Sequence, residues 1–250
     1  MNDTSLAIVH ARPGAVASGY PIGMLCAQWN IPFVPGDLNH ASTFDFPMRY
    51  VEVQGLIGAD ILRGDGEKFI DLIVTAARAL EAEGVQALTS NCGFMAVYQE
   101  VVAAAVSIPV FLSSLLQVNL ATQMVGPNRT VGVLTANSKA VTPELLAHVG
   151  FTDLDRIVLQ GLEDFDHFRE VILDEVGHMD PARFAAEVVE GARHLQAASP
   201  DMGAIVVECS DLPAYSAAIR EATGLPVFDW ASFIDYVHRA VVPRAYLGRA

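Results

Sequence analysis

The stretch ALTSNCGFMAVYQ, residues 87–99, joins a strand-like run to a helix-like run, with Cys92 at the hand-over. A second stretch, AIVVECSDLPAYS at 204–216, places Cys209 in the same position. Slid against itself by 117 residues, the sequence lays Cys92 on Cys209 and Tyr98 on Tyr215. Pro109-Val110-Phe111 falls on Pro226-Val227-Phe228, and no gap is needed from 85 to 112. A weaker echo sets LAIVHA (6–11) on VGVLTA (131–136), with an offset near 125. The chain therefore reads as two copies of one α/β unit. Residues 1–116 form the first lobe, with Cys92. Residues 117–250 form the second, with Cys209, and its terminal helix is free to pack back on the first.

The flanking stretches alternate. Apolar, β-rich runs at 6–10, 87–90, 110–112, 131–135, 157–159, 204–207 and 227–228 are expected strands. GEKFIDLIVTAARALEAEG (66–84) has apolar residues at helical spacing and stops at Gly84. PARFAAEVVEGARHLQAAS (181–199) opens with proline after Asp180, the order of an N-cap and a first helical position. Strands alternating with helices give an α/β fold: two pseudo-symmetric lobes, each a mostly parallel sheet flanked by helices, with the active site in the cleft between. Residues 32–64, rich in proline, glycine and aromatics, read instead as a long irregular excursion of the functional kind.

Composition narrows the function. With 250 residues, 52% hydrophobic and 18% charged, the chain buries a large core, and its apolar excess predicts a homodimer or larger homo-oligomer. A formal charge of −14 repels phosphates and anionic lipids, so neither nucleic acid nor membrane is an expected partner. Residues 101–128 carry no charge, yet Pro109 interrupts them and Ser113, Ser114, Gln117, Asn119 and Gln123 stud them, so they read as buried helix, strand and helix. The start, MNDTSLAIVHARPG, lacks the basic opening of a signal peptide, and a reducing cytoplasm is expected. Three cysteines without a CxxC pair or a Cys/His cluster predict neither a metal site nor a disulfide scaffold. No cofactor is expected.

Matched thiols at the carboxyl ends of matched strands approach one cleft from opposite sides. A carbon held between them can lose a proton to one and gain a proton from the other. A helix N-terminus lowers a thiol from its free pKa of ~8.5 and supplies N–H groups for a substrate carboxylate. Cys92 and Cys209 are thus the expected base and acid. Ser90, Asn91, Gly93 and Ser210 are expected donors beside them. Thr135 and Asn137, at another strand end, are expected to line the cleft. His10, at the end of the first expected strand, is a further candidate, and Arg12 is a candidate carboxylate anchor. Glu208 and Asp211 oppose a thiolate. Cys26, unmatched in the repeat, is expected to be core packing, as are Tyr98 and Tyr215.

These residues resemble the aspartate/glutamate/hydantoin racemase superfamily. SNCGF around Cys92 matches the first-lobe motif, ECSDLP around Cys209 is similar to a second-lobe motif that reads like Cys-Thr-Glu-Leu-Pro, and GVLTA (132–136) is similar to the strand opening the second lobe. The resemblance implies a cofactor-independent enzyme that abstracts a proton α to a carboxylate on a small substrate. Two departures argue against ordinary aspartate or glutamate: Gly93-Phe94 stands where amino-acid racemases carry Asn-Thr, and HARPG stands where they carry an acidic and hydroxyl pair. Racemisation or epimerisation is the leading expectation. The alternative is β-elimination of the kind catalysed by dimethylsulfoniopropionate lyases, which share the superfamily with maleate isomerases and arylmalonate decarboxylases. A non-catalytic small-molecule binding protein is the third.

Overall fold

A computed structural model describes residues 8, 10–12, 15–58, 61 and 66–246. Strands β1 (Ile22–Gln28), β2 (Met48–Ile57) and β3 (Ala87–Ser90) form a parallel sheet in the order β2-β1-β3. Strands β4 (Val131–Thr135), β5 (Ile157–Gly161), β6 (Ala204–Val207) and β7 (Val227–Phe228) form a second parallel sheet, ordered β5-β4-β6-β7. Helices α1 (Ile70–Glu83), α2 (Gln99–Ala105), α3 (Leu116–Met124), α4 (Pro143–His148), α5 (Pro181–Ala198), α6 (Ser216–Thr223) and α7 (Trp230–Val241) connect and cover them.

The helix ends follow local chemistry. Gly84 takes a left-handed φ of 91° and returns its N–H to Leu80 and Glu81, closing α1. Asp180 accepts hydrogen bonds from the N–H groups of Ala182 and Arg183, opening α5 at its proline. Val110–Leu112, expected as a strand, contributes a single bridge between Val110 and Leu88, which extends the first sheet by one pairing.

The first sheet corrects two expectations. The strand expected at 6–10 lies mostly outside the described residues, and Ile8 and His10, which are described, are exposed and not in a strand. The central strand is Ile22–Gln28, buried on both faces as the middle of a parallel sheet demands. Part of the expected irregular excursion is also regular, since Met48–Ile57 is an edge strand. Its half-exposed sequence MRYVEVQGLI, interrupted by Arg49, Glu52, Gln54 and Gly55, hides the strand signal. The repeat is therefore re-registered. IGMLCAQ (22–28) corresponds to VGVLTAN (131–137): Ile22 pairs with Ala87 and Met48 in one sheet, as Val131 pairs with Ala204 and Ile157 in the other. Cys26 thus corresponds to Thr135. It packs in the core beside Met24 and Phe44, where burial pushes its thiol up to about 12.

One continuous core joins the two sheets. Leu25 and Leu88 share it with Val131, Val133 and Val206, and the turn after Cys92 packs on the Leu145–Phe151 segment. Helix α7 returns to the first sheet, where Trp230 is fully buried with Ile22, Met24 and Phe111, and its Nε1 donates to Thr89 Oγ1 at 3.3 Å. Ser114 Oγ donates to the Val207 carbonyl at 2.7 Å, a second tie across the halves. Among the described residues no helix is long and apolar enough to cross a membrane.

Candidate active site

Strands β3 and β6 end side by side, and each hands its chain to a cysteine. Cys92 and Cys209 line one cavity of about 20 Å³, with Trp29, Asn91, Gly93, Glu208, Ser210 and Asp211 around them. That volume holds about one water. Cys92 sits in extended conformation directly before a 3-10 turn at Gly93–Tyr98. The Met95 N–H donates to the Cys92 carbonyl at 2.9 Å, and the N–H groups of Phe94 and Met95 act to lower its thiol. Cys209 is followed first by the Ser210–Leu212 turn, so the helix expected to start on it begins only at Pro213. Its thiol donates instead to Asp211 Oδ2 at 3.1 Å.

The expected donors divide by geometry. Gly93 faces the cavity and lies against Glu208 Oε1. Asn91 lines the cavity, but its amide is committed to both backbone groups of Ala27, at 2.8 and 3.1 Å. Ser210 Oγ donates to the Asn91 carbonyl at 2.9 Å and ties the two strand ends together. Ser90 Oγ donates to backbone carbonyls of Leu112 and Cys92 and serves the scaffold. Thr135 stands behind the cavity and donates to Glu208 Oε2 at 2.7 Å. Asn137 caps the 138–140 turn through the Lys139 N–H and does not line the cavity. His10 and Arg12 also stand elsewhere: His10 is exposed, and Arg12 donates to the Ala82 carbonyl at the end of α1. The physical reason is the shifted first strand, which brings Trp29 into the position after its end.

Three buried acids gather here: Glu208 and Asp211 line the cavity with the thiols, and Asp37 lies against Asp211. Asp37 comes from the 35–43 loop, where Asn39 N–H donates to its Oδ1 at 2.7 Å. Burial and the Asp211 charge, to which Asp37 is hydrogen-bonded, push its carboxyl up to about 10. Both cysteines are raised, foremost by burial, then at Cys92 by Glu208 and at Cys209 by Asp211 and Glu208. The two N–H groups at Cys92 pull the other way and lose. Both are thiols at rest, against the expectation of a helix-lowered thiolate. ECSD announced two of these acids; no sequence signal marked Asp37 or Trp29 as neighbours of the cysteines.

Glu208 is the odd member. Thr135 donates to its Oε2 and the Ala136 N–H to the carboxyl, while its Oε1 is buried with no hydrogen-bond partner among the described residues. Burial lifts its carboxyl from 4.5 to about 7, with a further push from Asp211. The folded chain holds this proton to higher pH than the unfolded chain, so stability falls as pH rises from 4.5 through about 7. Glu208→Gln removes that fall. The Tm of the variant gains on the parent as pH climbs through this window, measured by a thermal-shift series; a constant difference would refute the shift. Gly93→Ala places a methyl on Glu208 Oε1, 2.5 Å from its Cδ and 2.9 Å from its backbone carbonyl oxygen, so the carboxyl must swing away and the strand end must shift with it. The expected result is a turnover loss of about 10²-fold together with a lowered Tm, read by kcat and thermal circular dichroism.

Beside the cavity the two halves are clasped together. Asn30 donates from its backbone N–H to Glu175 Oε2 at 2.6 Å and from Nδ2 to the Glu175 carbonyl at 3.0 Å. Glu175 holds a left-handed φ of 51°, unusual for a residue with a side chain. Trp29 and Ile31, on either side of Asn30, form one wall, and Ile172 forms another.

This architecture recurs in solved structures. A glycine-to-cysteine mutant of arylmalonate decarboxylase superposes with a TM-score of 0.61 at 22% identity, covering 90% of this chain and 94% of that one. Aspartate racemase from Picrophilus torridus superposes at 0.54 and 13%, covering 91% and 96%. The fold is that of the aspartate/glutamate racemases and arylmalonate decarboxylases. No protein-family model matches the chain. A dimethylsulfoniopropionate lyase of Durusdinium sp. clade D is 30% identical over 233 residues, 91% of this chain and 77% of the relative. Dimethylsulfoniopropionate lyase 5 of Emiliania huxleyi (strain CCMP1516) is 31% identical over 228 residues, but the chain spans only 45% of its length. The chain belongs to the family of these dimethylsulfoniopropionate lyases.

Proposed function

We propose that the chain is a cofactor-independent lyase acting on a small carboxylate that carries a cationic β-substituent, with dimethylsulfoniopropionate as the substrate. The observation that carries this reading is the unpartnered Oε1 of Glu208 in the cavity between the thiols. A buried carboxyl with no cation beside it is costly. A sulfonium group supplies the missing charge, and Glu208 ionises as it arrives. The dimethylsulfoniopropionate lyases to which the chain is similar point the same way.

In this mechanism the Cys209 proton passes to Asp211, to which it is already hydrogen-bonded. The thiolate takes the proton from the carbon α to the carboxylate. The C–H electron pair becomes the C=C bond, and the β-carbon–sulfur pair leaves with the neutral sulfide. Cys92 stands across the cavity as the second thiol.

Racemisation is the second reading, favoured by the thiols' equivalent places in the two halves. Proton NMR of the enzyme with dimethylsulfoniopropionate in D₂O separates the two. Alkene signals with free dimethyl sulfide support the lyase. Silence with this substrate, together with α-proton loss from a chiral acid whose skeleton stays intact, transfers the assignment to racemisation. Binding without turnover removes both.

A further inference from the structure

The elimination proposed above leaves one proton behind in each cycle, and the site offers it little room. The cavity is about 20 Å³ and the two thiols are buried. Two carboxyls contact the thiols' surroundings from different directions. Glu208 leads inward, since Thr135 donates to its Oε2 and the Ala136 N–H to its carboxyl. Asp211 leads outward: it accepts the Cys209 thiol hydrogen at 3.1 Å and is hydrogen-bonded in turn to Asp37. Asp37 sits on a loop of the first half that reaches across to the second. Gly36 lies so close to Ala214 that a side chain there would meet its Cα at 2.6 Å, and Leu38 N–H donates to the Ser210 carbonyl at 3.2 Å. The loop is internally fixed: Thr43 Oγ1 donates to the Asp37 carbonyl at 2.5 Å and accepts from the Gly36 N–H at 3.0 Å. Beyond Asp37 the chain is half-buried at Asn39 and His40 and exposed at 41–42. A loop held this firmly delivers one buried acid onto another, with no cation between them among the described residues, so the pair holds a proton in place of two like charges.

We propose that Asp37 is a positioning residue that carries the product proton out of the closed site, along Cys209, Asp211 and Asp37 to solvent at the 35–43 loop. This rests on the lyase reading, because a racemase returns the proton to its substrate and has none to discard. The balance is complete. The Cys209 thiolate takes the α-proton and becomes a thiol, the thiol proton moves to Asp211, and the proton shared by Asp211 and Asp37 passes to water. One proton is released with each alkene and each sulfide, and no oxidant or reductant enters.

Asp37→Asn tests it. The asparagine keeps both contacts, its oxygen accepting from the Asn39 N–H and its amide donating to Asp211, but it cannot relay a proton. The expected steady-state kcat on dimethylsulfoniopropionate falls about 10²-fold. KM falls with it, because a step after the chemistry becomes limiting, and a burst of about one sulfide per site precedes the slow phase. A variant with the parent's kcat and no burst overturns the proposal and leaves Asp37 a structural tether. A low kcat without a burst and with a lowered Tm also overturns it, since the defect is then in the chemistry or the fold. A parent that releases no sulfide removes the lyase reading and this route together.

Discussion

Cys209→Ser turns over at least about 10³-fold more slowly than the parent, with an unchanged melting temperature. The expectation combines two observations. Cys209 is the thiol whose hydrogen already has an acceptor, Asp211 Oδ2 at 3.1 Å. It also faces the same cavity as Cys92 and the unpartnered Glu208 oxygen. A serine hydroxyl fits the space and keeps a hydrogen bond to Asp211, but it is a far weaker acid than a thiol, so the alkoxide needed for proton abstraction is scarcely formed. Loss of a positioned acid–base group costs about 10²–10⁴-fold. Steady-state sulfide release from the parent, Cys209→Ser and Cys92→Ser measures it. Full activity in both variants would discard the cysteines as the chemical groups. Loss at Cys209 alone would identify the base and leave Cys92 as a wall of the site.

Trp230→Ala destabilises the fold by about 3–5 kcal/mol. Trp230 is among the largest side chains with no exposed surface, and it joins the final helix to the first sheet. Its removal leaves a cavity among Ile22, Met24 and Phe111 and deletes the bond to Thr89 Oγ1. For a chain of this length the fall in Tm is about 10 °C, read by differential scanning calorimetry. Trp230→Phe restores most of the volume and keeps the lost bond as its remaining defect, so its fall is the smaller. Equal falls would mean that the Nε1 bond, and not the packing, carries the stability.

How much of this was legible in the sequence depends on what kind of signal each part leaves. Cys92 and Cys209 stand out because the strand, the thiol and the downstream tyrosine repeat together, and the structure sets Tyr98 and Tyr215 as matching caps of α2 and α6. Helices α1 and α5 are marked by apolar spacing and by their terminal residues. The first strand was misplaced because LAIVHA and IGMLCAQ are equally apolar, and only pairing decides between them: Ile22 lies between Ala87 and Met48. His10 and Arg12 went wrong with that strand. Asp37 left no trace, because its role depends on a loop crossing to the other half. Thr135 was expected in the cleft; it stands one shell behind, holding Glu208.

The clasp between Asn30 and Glu175 has a kinetic consequence. Trp29 and Ile31 wall the cavity on either side of Asn30, so widening it to seat a carboxylate at that wall strains the clasp, and association is expected to wait on its opening. The observed binding rate then saturates with substrate concentration at the opening rate, and lies below the diffusion-controlled range. Glu175→Gly relieves the left-handed backbone while deleting the carboxylate arm of the clasp. Faster capture and faster escape of product would come together, so the clasp sets the tempo at which the site exchanges with its surroundings.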